Sequence, residues 1–270
     1  MKGLLQKILI EVRWIALLFG GGLCLIMALL TALLPTVLND AEQFLNMIPF
    51  ARPILTALLG VELRDGVTPP MMQAFLWVHP TVLALIWAWE ITFCTRVPAG
   101  EIDRGTVDFL LGLPISRWQL YAAETVGFLV AGFVVLGLGF CGHLLTADML
   151  QPQMRPGAFA SASVLCNLYA VYAAVGGIAF LISACSDRRL RAAGGIFTML
   201  LISFLLNFLA QFWDPAKSYS FLSVMEYYRP AIVIQNEAFP VRDVAILAAI
   251  SLVTWTAGGL VFRRRSICTV

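Results

Sequence analysis

Side chains able to do chemistry are sparse in this 270-residue chain, and none of them forms a reacting constellation. His79 precedes Pro80, and His143 lies near the end of another apolar run. Neither has a carboxylate or cysteine at a ligand spacing such as H-x-x-x-H or C-x-x-C. Both read as structural histidines, hydrogen-bonded inside a helix bundle. Six cysteines (Cys24, Cys94, Cys141, Cys166, Cys185, Cys268) read as small buried apolar residues, with no disulfide framework and no metal site. A phosphate-cradling loop needs a Gly-Lys step, whereas Lys2, Lys7 and Lys217 follow Met, Gln and Ala, so no such loop exists here. Glu90 and Glu124 remain. They interrupt apolar runs, where an ionisable group is costly and becomes a candidate proton or cation site. Both lie about two turns from an expected inner end, with Arg96 and Arg117 in reach, so a salt bridge at the inner interface is the preferred reading. Asn167, Asn207 and Gln211 could line a path, though interhelical hydrogen bonds are the simpler use.

The elements that must position these residues are set by composition. The chain is 60% apolar and 13% charged, with mean hydropathy +0.86, beyond the range of a soluble globule. Charge-free stretches run from Trp14 to Leu38, Met71 to Trp89, Thr125 to Thr146, Ala158 to Ser186, Ala192 to Trp213 and Val244 to Phe262. Each is long enough, since about 20 helical residues cross a hydrocarbon core of roughly 30 Å. An all-α membrane protein follows, with six transmembrane helices at about 14–38, 71–94, 119–146, 158–186, 192–213 and 244–262 in a single domain over 14–270. The apolar runs do not alternate, which excludes a barrel. Residues 1–13 carry Leu4, Leu5, Ile8, Leu9 and Val12 on one side, and are expected to form an amphipathic helix lying flat in the headgroup region. The run behind them is too long for a cleaved signal. Pro80 should kink its helix. Glycines cluster at 20–22, 132–142, 176–177, 194–195 and 258–259, where helices can approach closely.

Basic residues give the orientation. Three each occur in the N-terminal stretch, the connection holding Arg96, Arg104 and Arg117, the turn at 188–191 and the tail at 263–265. Only six occupy the remaining connections. The richer side is expected to be cytoplasmic, with both termini on it. Bulk charge of +2 points to no nucleic-acid partner. Two long outer connections, 39–70 and 214–243, carry apolar and aromatic residues expected to lie as helical pieces on the outer interface.

Between the second and third spans, Glu101 to Gln119 (EIDRGTVDFLLGLPISRWQ) contains a short amphipathic helix of its own. Thr106 is a plausible N-cap, Asp108 lies in the first turn, Val107, Leu110 and Leu111 share a face, and Pro114 stops the helix. Ser116 and Gln119 form an S-x-x-Q capping box, so the next helix starts at Arg117. Glu101, Gly105, Thr106, Leu110, Leu111, Pro114 and Arg117 resemble the E-x-x-x-G-T-x-x-x-L-L-x-x-P-x-x-R signature of ABC-2 type ABC transporter permeases. One departure is Glu124, where members often carry a lysine shortly after the motif.

The resemblance implies an ABC-2, type V exporter-like fold with a cytoplasmic coupling helix between spans 2 and 3. It implies that Glu101, Arg104, Gly105, Thr106, Phe109, Leu110, Leu111, Pro114 and Arg117 couple the chain to a separate ABC-type ATP-binding subunit. ATP and Mg would then bind that partner, leaving this chain no enzyme by itself and without cofactors. A second permease subunit, identical or not, and location in a bacterial inner membrane are further implications. The expected function is export of an amphipathic or lipid-like substrate. Two alternatives are a membrane scaffold that transmits force or signal without cargo, and an ion-coupled carrier using Glu90 and Glu124.

Overall fold

The long apolar runs fold as helices because a lipid-embedded backbone must satisfy its own hydrogen bonds. The structure, a computed structural model, describes residues 2–47, 51–61, 68–107, 109, 112, 114–150, 152–155 and 157–265. Its principal helices are α1 (Lys2–Met47), α2 (Ala51–Leu59), α3 (Pro69–Val78), α4 (Pro80–Cys94), α5 (Arg117–Ala147), α6 (Ala158–Ala184), α7 (Arg189–Leu209), α8 (Pro230–Asn236) and α9 (Val241–Arg264). Among the described residues, six segments are long and apolar enough to cross a membrane: Lys2–Leu38, Pro69–Cys94, Arg117–Ala147, Ala158–Ala184, Arg189–Leu209 and Val241–Arg264. They correspond to the six expected spans.

Two of those spans differ from expectation in detail. Residues 1–13 do not form a separate surface helix, because α1 runs unbroken from Lys2 to Met47. The reason is phase: Ile8 and Val12 continue the buried stripe of Ala16, Leu23, Met27 and Leu34, so one face of the helix turns inward from Ile8 to Leu34. The second span is broken rather than kinked. His79 adopts an extended ψ of 130° between α3 and α4, Pro80 takes the first position of α4, and His79 Nδ1 accepts from the Thr81 N–H. Proline is well placed there, since a first-turn N–H has no helical partner to lose.

Close helix approach replaces the hydrophobic drive that lipid removes. α1 packs most extensively on α5, and α9 on α6. At the first seam a Cβ on Gly142 would sit 2.1 Å from the Cys24 carbonyl oxygen, and at the second a Cβ on Gly258 would sit 2.9 Å from Leu181 Cα. Not every clustered glycine serves this end, for Gly21, Gly137 and Gly194 face open space. The cysteines also depart from expectation: Cys94 is buried, but Cys141, Cys166 and Cys185 lie exposed on helix surfaces, and Cys268 lies outside the described residues.

The described parts of the two long connections, 39–70 and 214–243, contain helical pieces. α2 buries Ala51, Ala57 and Leu59. Residues 214–236 return towards the bundle as short helical turns and α8, with Val224, Met225 and Tyr228 buried. Polar side chains hold them there. Ser223 donates to the Ser203 carbonyl at 2.7 Å, Asn167 to the Tyr227 carbonyl at 3.1 Å and Tyr228 to the Trp77 carbonyl at 3.2 Å. Asn207 donates to Glu226 at 3.1 Å, so Asn167 and Asn207 both serve as interhelical or helix-to-loop ties. His143 is equally structural, hydrogen-bonded to Thr31 at 2.9 Å.

Candidate coupling site

The connection between α4 and α5 is built as a closed unit. α4 ends where the Thr95 hydroxyl donates to the Ile91 carbonyl at 2.7 Å. Arg96–Gly100 then forms a wide turn, with Val97 extended at φ −136° and ψ 132°. Gly100 N–H closes it onto the Thr95 carbonyl at 3.0 Å, and a Cβ on Gly100 would lie 2.9 Å from that oxygen, so the approach needs glycine. A single helical turn, Glu101–Asp103, follows. Gly105 ends it at φ +67°, a left-handed conformation that side chains disfavour.

Glu101 is the internal latch of this unit. Its carboxylate pairs with Arg104 and accepts from the Thr106 hydroxyl at 2.5 Å, while its carbonyl accepts the Thr106 N–H at 3.0 Å. Thr106 therefore precedes a helical start at 107 and 109 with its hydroxyl turned backwards rather than forwards as a cap. Val107 is buried, whereas Phe109 is 82% exposed. Asp108, Leu110 and Leu111 lie outside the described residues, as does Leu113. Pro114 is exposed, and the expected capping box is present: Ser116 accepts from Gln119 N–H at 3.1 Å and the Gln119 amide oxygen accepts from Ser116 N–H at 2.9 Å. Arg117 turns into the chain itself, donating to the Phe262 carbonyl at 3.4 Å and to the Arg265 carbonyl.

Three further ties fasten the unit to the spans. Arg96 bonds to Glu11 of α1 at 2.7 Å and to both oxygens of Glu124 on α5 at 3.0 and 3.1 Å, with its guanidinium 5.4 Å from the Phe93 ring centroid. Burial works against that charge, yet the two carboxylates outweigh it and hold the guanidinium above its ordinary pKa. Ala99 N–H donates to Ser183 of α6 at 3.3 Å. Arg189, the first residue of α7, gives its N–H to Asp103 at 3.2 Å and its side chain to the Thr95 hydroxyl and the Thr92 carbonyl at 3.3 and 3.4 Å.

The sequence placed Glu90 and Glu124 together at an inner salt bridge, and the structure separates them. Glu124 makes that bridge. Glu90 is 1% exposed, makes no ion pair with a described residue and leaves Oε1 without a partner. Asp103, Ser183 and Arg189 escaped the sequence reading altogether; the R-R-x-R run that holds Arg189 registered only as orientation.

Arg96, Ala99 and Asp103 thus tie the connection to α1, α5, α6 and α7, Arg117 at the start of α5 reaches α9, and Phe109 stands exposed in the stretch between them. No curated protein matches the chain. The sequence of residues 81–266, well over half of the chain and including this connection, matches the family model described as ABC-2 family transporter protein, and the chain belongs to that family as a membrane-spanning transport permease.

Proposed function

We propose that the chain is the permease of an ATP-driven exporter and that a separate ATP-binding subunit docks on the tip of the 101–117 connection at Phe109, Leu110 and Leu111. ATP and Mg bind that partner, and both termini and the connection face the cytoplasm. The observation that carries the reading is the set of ties from Arg96, Ala99, Asp103 and Arg117 to α1, α5, α6, α7 and α9. A push on Phe109 is delivered to the whole bundle rather than absorbed by a loose turn. Closure of two ATP-binding subunits would tilt the broken second span and its neighbours and switch a cavity shared with a second permease between inward and outward access. The cargo proposed is an amphipathic or lipid-like molecule.

The test separates docking from transmission. Asp103→Ala removes the carboxylate that holds the Arg189 N–H of α7 and leaves Phe109 in place. In vesicles holding the copurified complex, it should retain the ATP-binding subunit while ATP-driven movement of a fluorescent phospholipid falls at least tenfold. Full movement with Asp103→Ala would break the proposed transmission route. Glu90 keeps an ion-coupled carrier in play as the second reading, since it is a buried carboxylate with a free oxygen. Under the exporter reading Glu90→Gln leaves ATP-driven movement intact, and a proton gradient alone drives none.

A further inference from the structure

We propose that Arg188, Arg191, Arg263 and Arg264 form a binding site for the phosphate headgroup of an anionic phospholipid. The inference stands apart from the transport reading and does not depend on which side of the membrane this end occupies. It begins with two basic runs far apart in sequence, Arg188-Arg189-Leu190-Arg191 and Arg263-Arg264-Arg265. Arg265 joins them. Its guanidinium donates to the Ala184 carbonyl at 2.7 Å and the Ser186 carbonyl at 3.1 Å, and pairs with Asp187. The end of α9 is thereby pinned to the turn from which α7 starts, and Arg117 braces it from the other side.

Within this cluster the arginines divide into two groups. Arg189 and Arg265 are spent on the fold, and Asp187, the acid of the turn, is spent on Arg265. Arg188, Arg191, Arg263 and Arg264 are exposed, and none makes a hydrogen bond or ion pair through its side chain with a described residue. The start of α7 compounds the excess of positive charge. Its first turn holds no acidic residue of its own, and the one described carboxylate that reaches it, Asp103, takes the Arg189 N–H and pairs with none of the four exposed arginines. Repulsion among four unpaired guanidinium groups is relieved by an anion, and their forks match the oxygens of a phosphate.

Apolar neighbours select a lipid over a soluble phosphate. Leu190, 83% exposed, stands between Arg188 and Arg191, and Leu260, 47% exposed, lies one turn below Arg263 and Arg264 on α9. Both helices are candidate membrane spans, so the arginines sit at the level of the headgroups with hydrocarbon surface directly beneath them. Charge above and apolar surface below is the outline of a phospholipid, and basic pockets between spans are known to hold anionic ones.

The test uses the full chain purified in mild detergent and challenged with phosphatidylglycerol or phosphatidylcholine, with bound lipid counted by native mass spectrometry. The wild type should retain phosphatidylglycerol at least tenfold better than phosphatidylcholine. R188Q/R191Q/R263Q/R264Q should lose that preference, while R242Q, a substitution just inside the opposite end of α9, should keep it. If the quadruple variant fails to fold by circular dichroism, R188Q/R191Q and R263Q/R264Q are measured separately, and each should weaken retention at least threefold. Equal retention of the two lipids, or a preference indifferent to these substitutions, would overturn the proposal. So would displacement of phosphatidylglycerol by millimolar inorganic phosphate, which would mark a soluble-anion site instead.

Discussion

Arg96 bridges two carboxylates, Glu11 and Glu124, that come from different spans, whereas Glu90 makes no ion pair with a described residue. The two buried glutamates should therefore answer to substitution with opposite signs. Removing one partner of a buried pair costs roughly 3 kcal/mol or more, because the remaining charge stays desolvated. Replacing a buried carboxylate that lacks a full set of partners by an apolar side chain of similar size is nearly neutral or stabilising. Glu124→Met should lower the melting temperature of the detergent-solubilised protein by several degrees, and Glu90→Met should leave it unchanged or raise it. Equal losses from both would show that Glu90 has an unrecognised partner. At this scale the sequence was readable wherever partners are close in the chain. Ser116 with Gln119 is a three-residue signal, and both halves of the box formed. Gly105 sat in a motif and proved to carry the positive φ that ends a helical turn. Arg189 with Asp103 spans 86 residues, and no local pattern encodes it.

At the scale of elements, apolar length alone was enough to count six spans, because a continuous helix is the form such a run takes in lipid. Boundaries were less legible. The amphipathic pattern of residues 1–13 has two physical solutions, a helix on the membrane surface or a helix whose apolar face continues a buried stripe. The spacing Ile8, Val12, Ala16 is the trace of the second. Seams between helices were foreshadowed by glycine clusters, but sequence could not say which glycines met a neighbour. Gly142 and Gly137 decide the matter experimentally. Gly142→Ala drives a Cβ into the Cys24 carbonyl, an overpacking that costs about 1–3 kcal/mol or more at a backbone contact. Gly137→Ala meets nothing within 4 Å and gains about 1 kcal/mol of helix propensity. Thermal unfolding should accordingly rank Gly137→Ala at or above the wild type and Gly142→Ala well below it. The reverse order would mean that α1 and α5 do not pack along this line.

For the whole molecule, a bundle of spans with no phosphate-binding loop carries, between α4 and α5, a connection whose described residues are tied to α1, α5, α6 and α7. Membership of the ABC-2 transporter family accounts for such a connection, since permeases of this family generally work with an ABC-type ATP-binding subunit. Phe109, Leu110 and Leu111 were proposed as the docking residues from the family resemblance of the motif that holds them. The ties that make it stiff became visible only in three dimensions, because they join residue pairs 28 to 148 positions apart. What the tip touches is the claim on which the mechanism rests. Copurification of the tagged chain from mild detergent measures it most directly, comparing wild type with Phe109→Asp and with Leu110→Asp/Leu111→Asp. The account predicts that an ATP-binding subunit stays with the wild type and is lost at least tenfold from both variants, whose bundles remain folded by thermal unfolding. Retention of that subunit by both folded variants would contradict it.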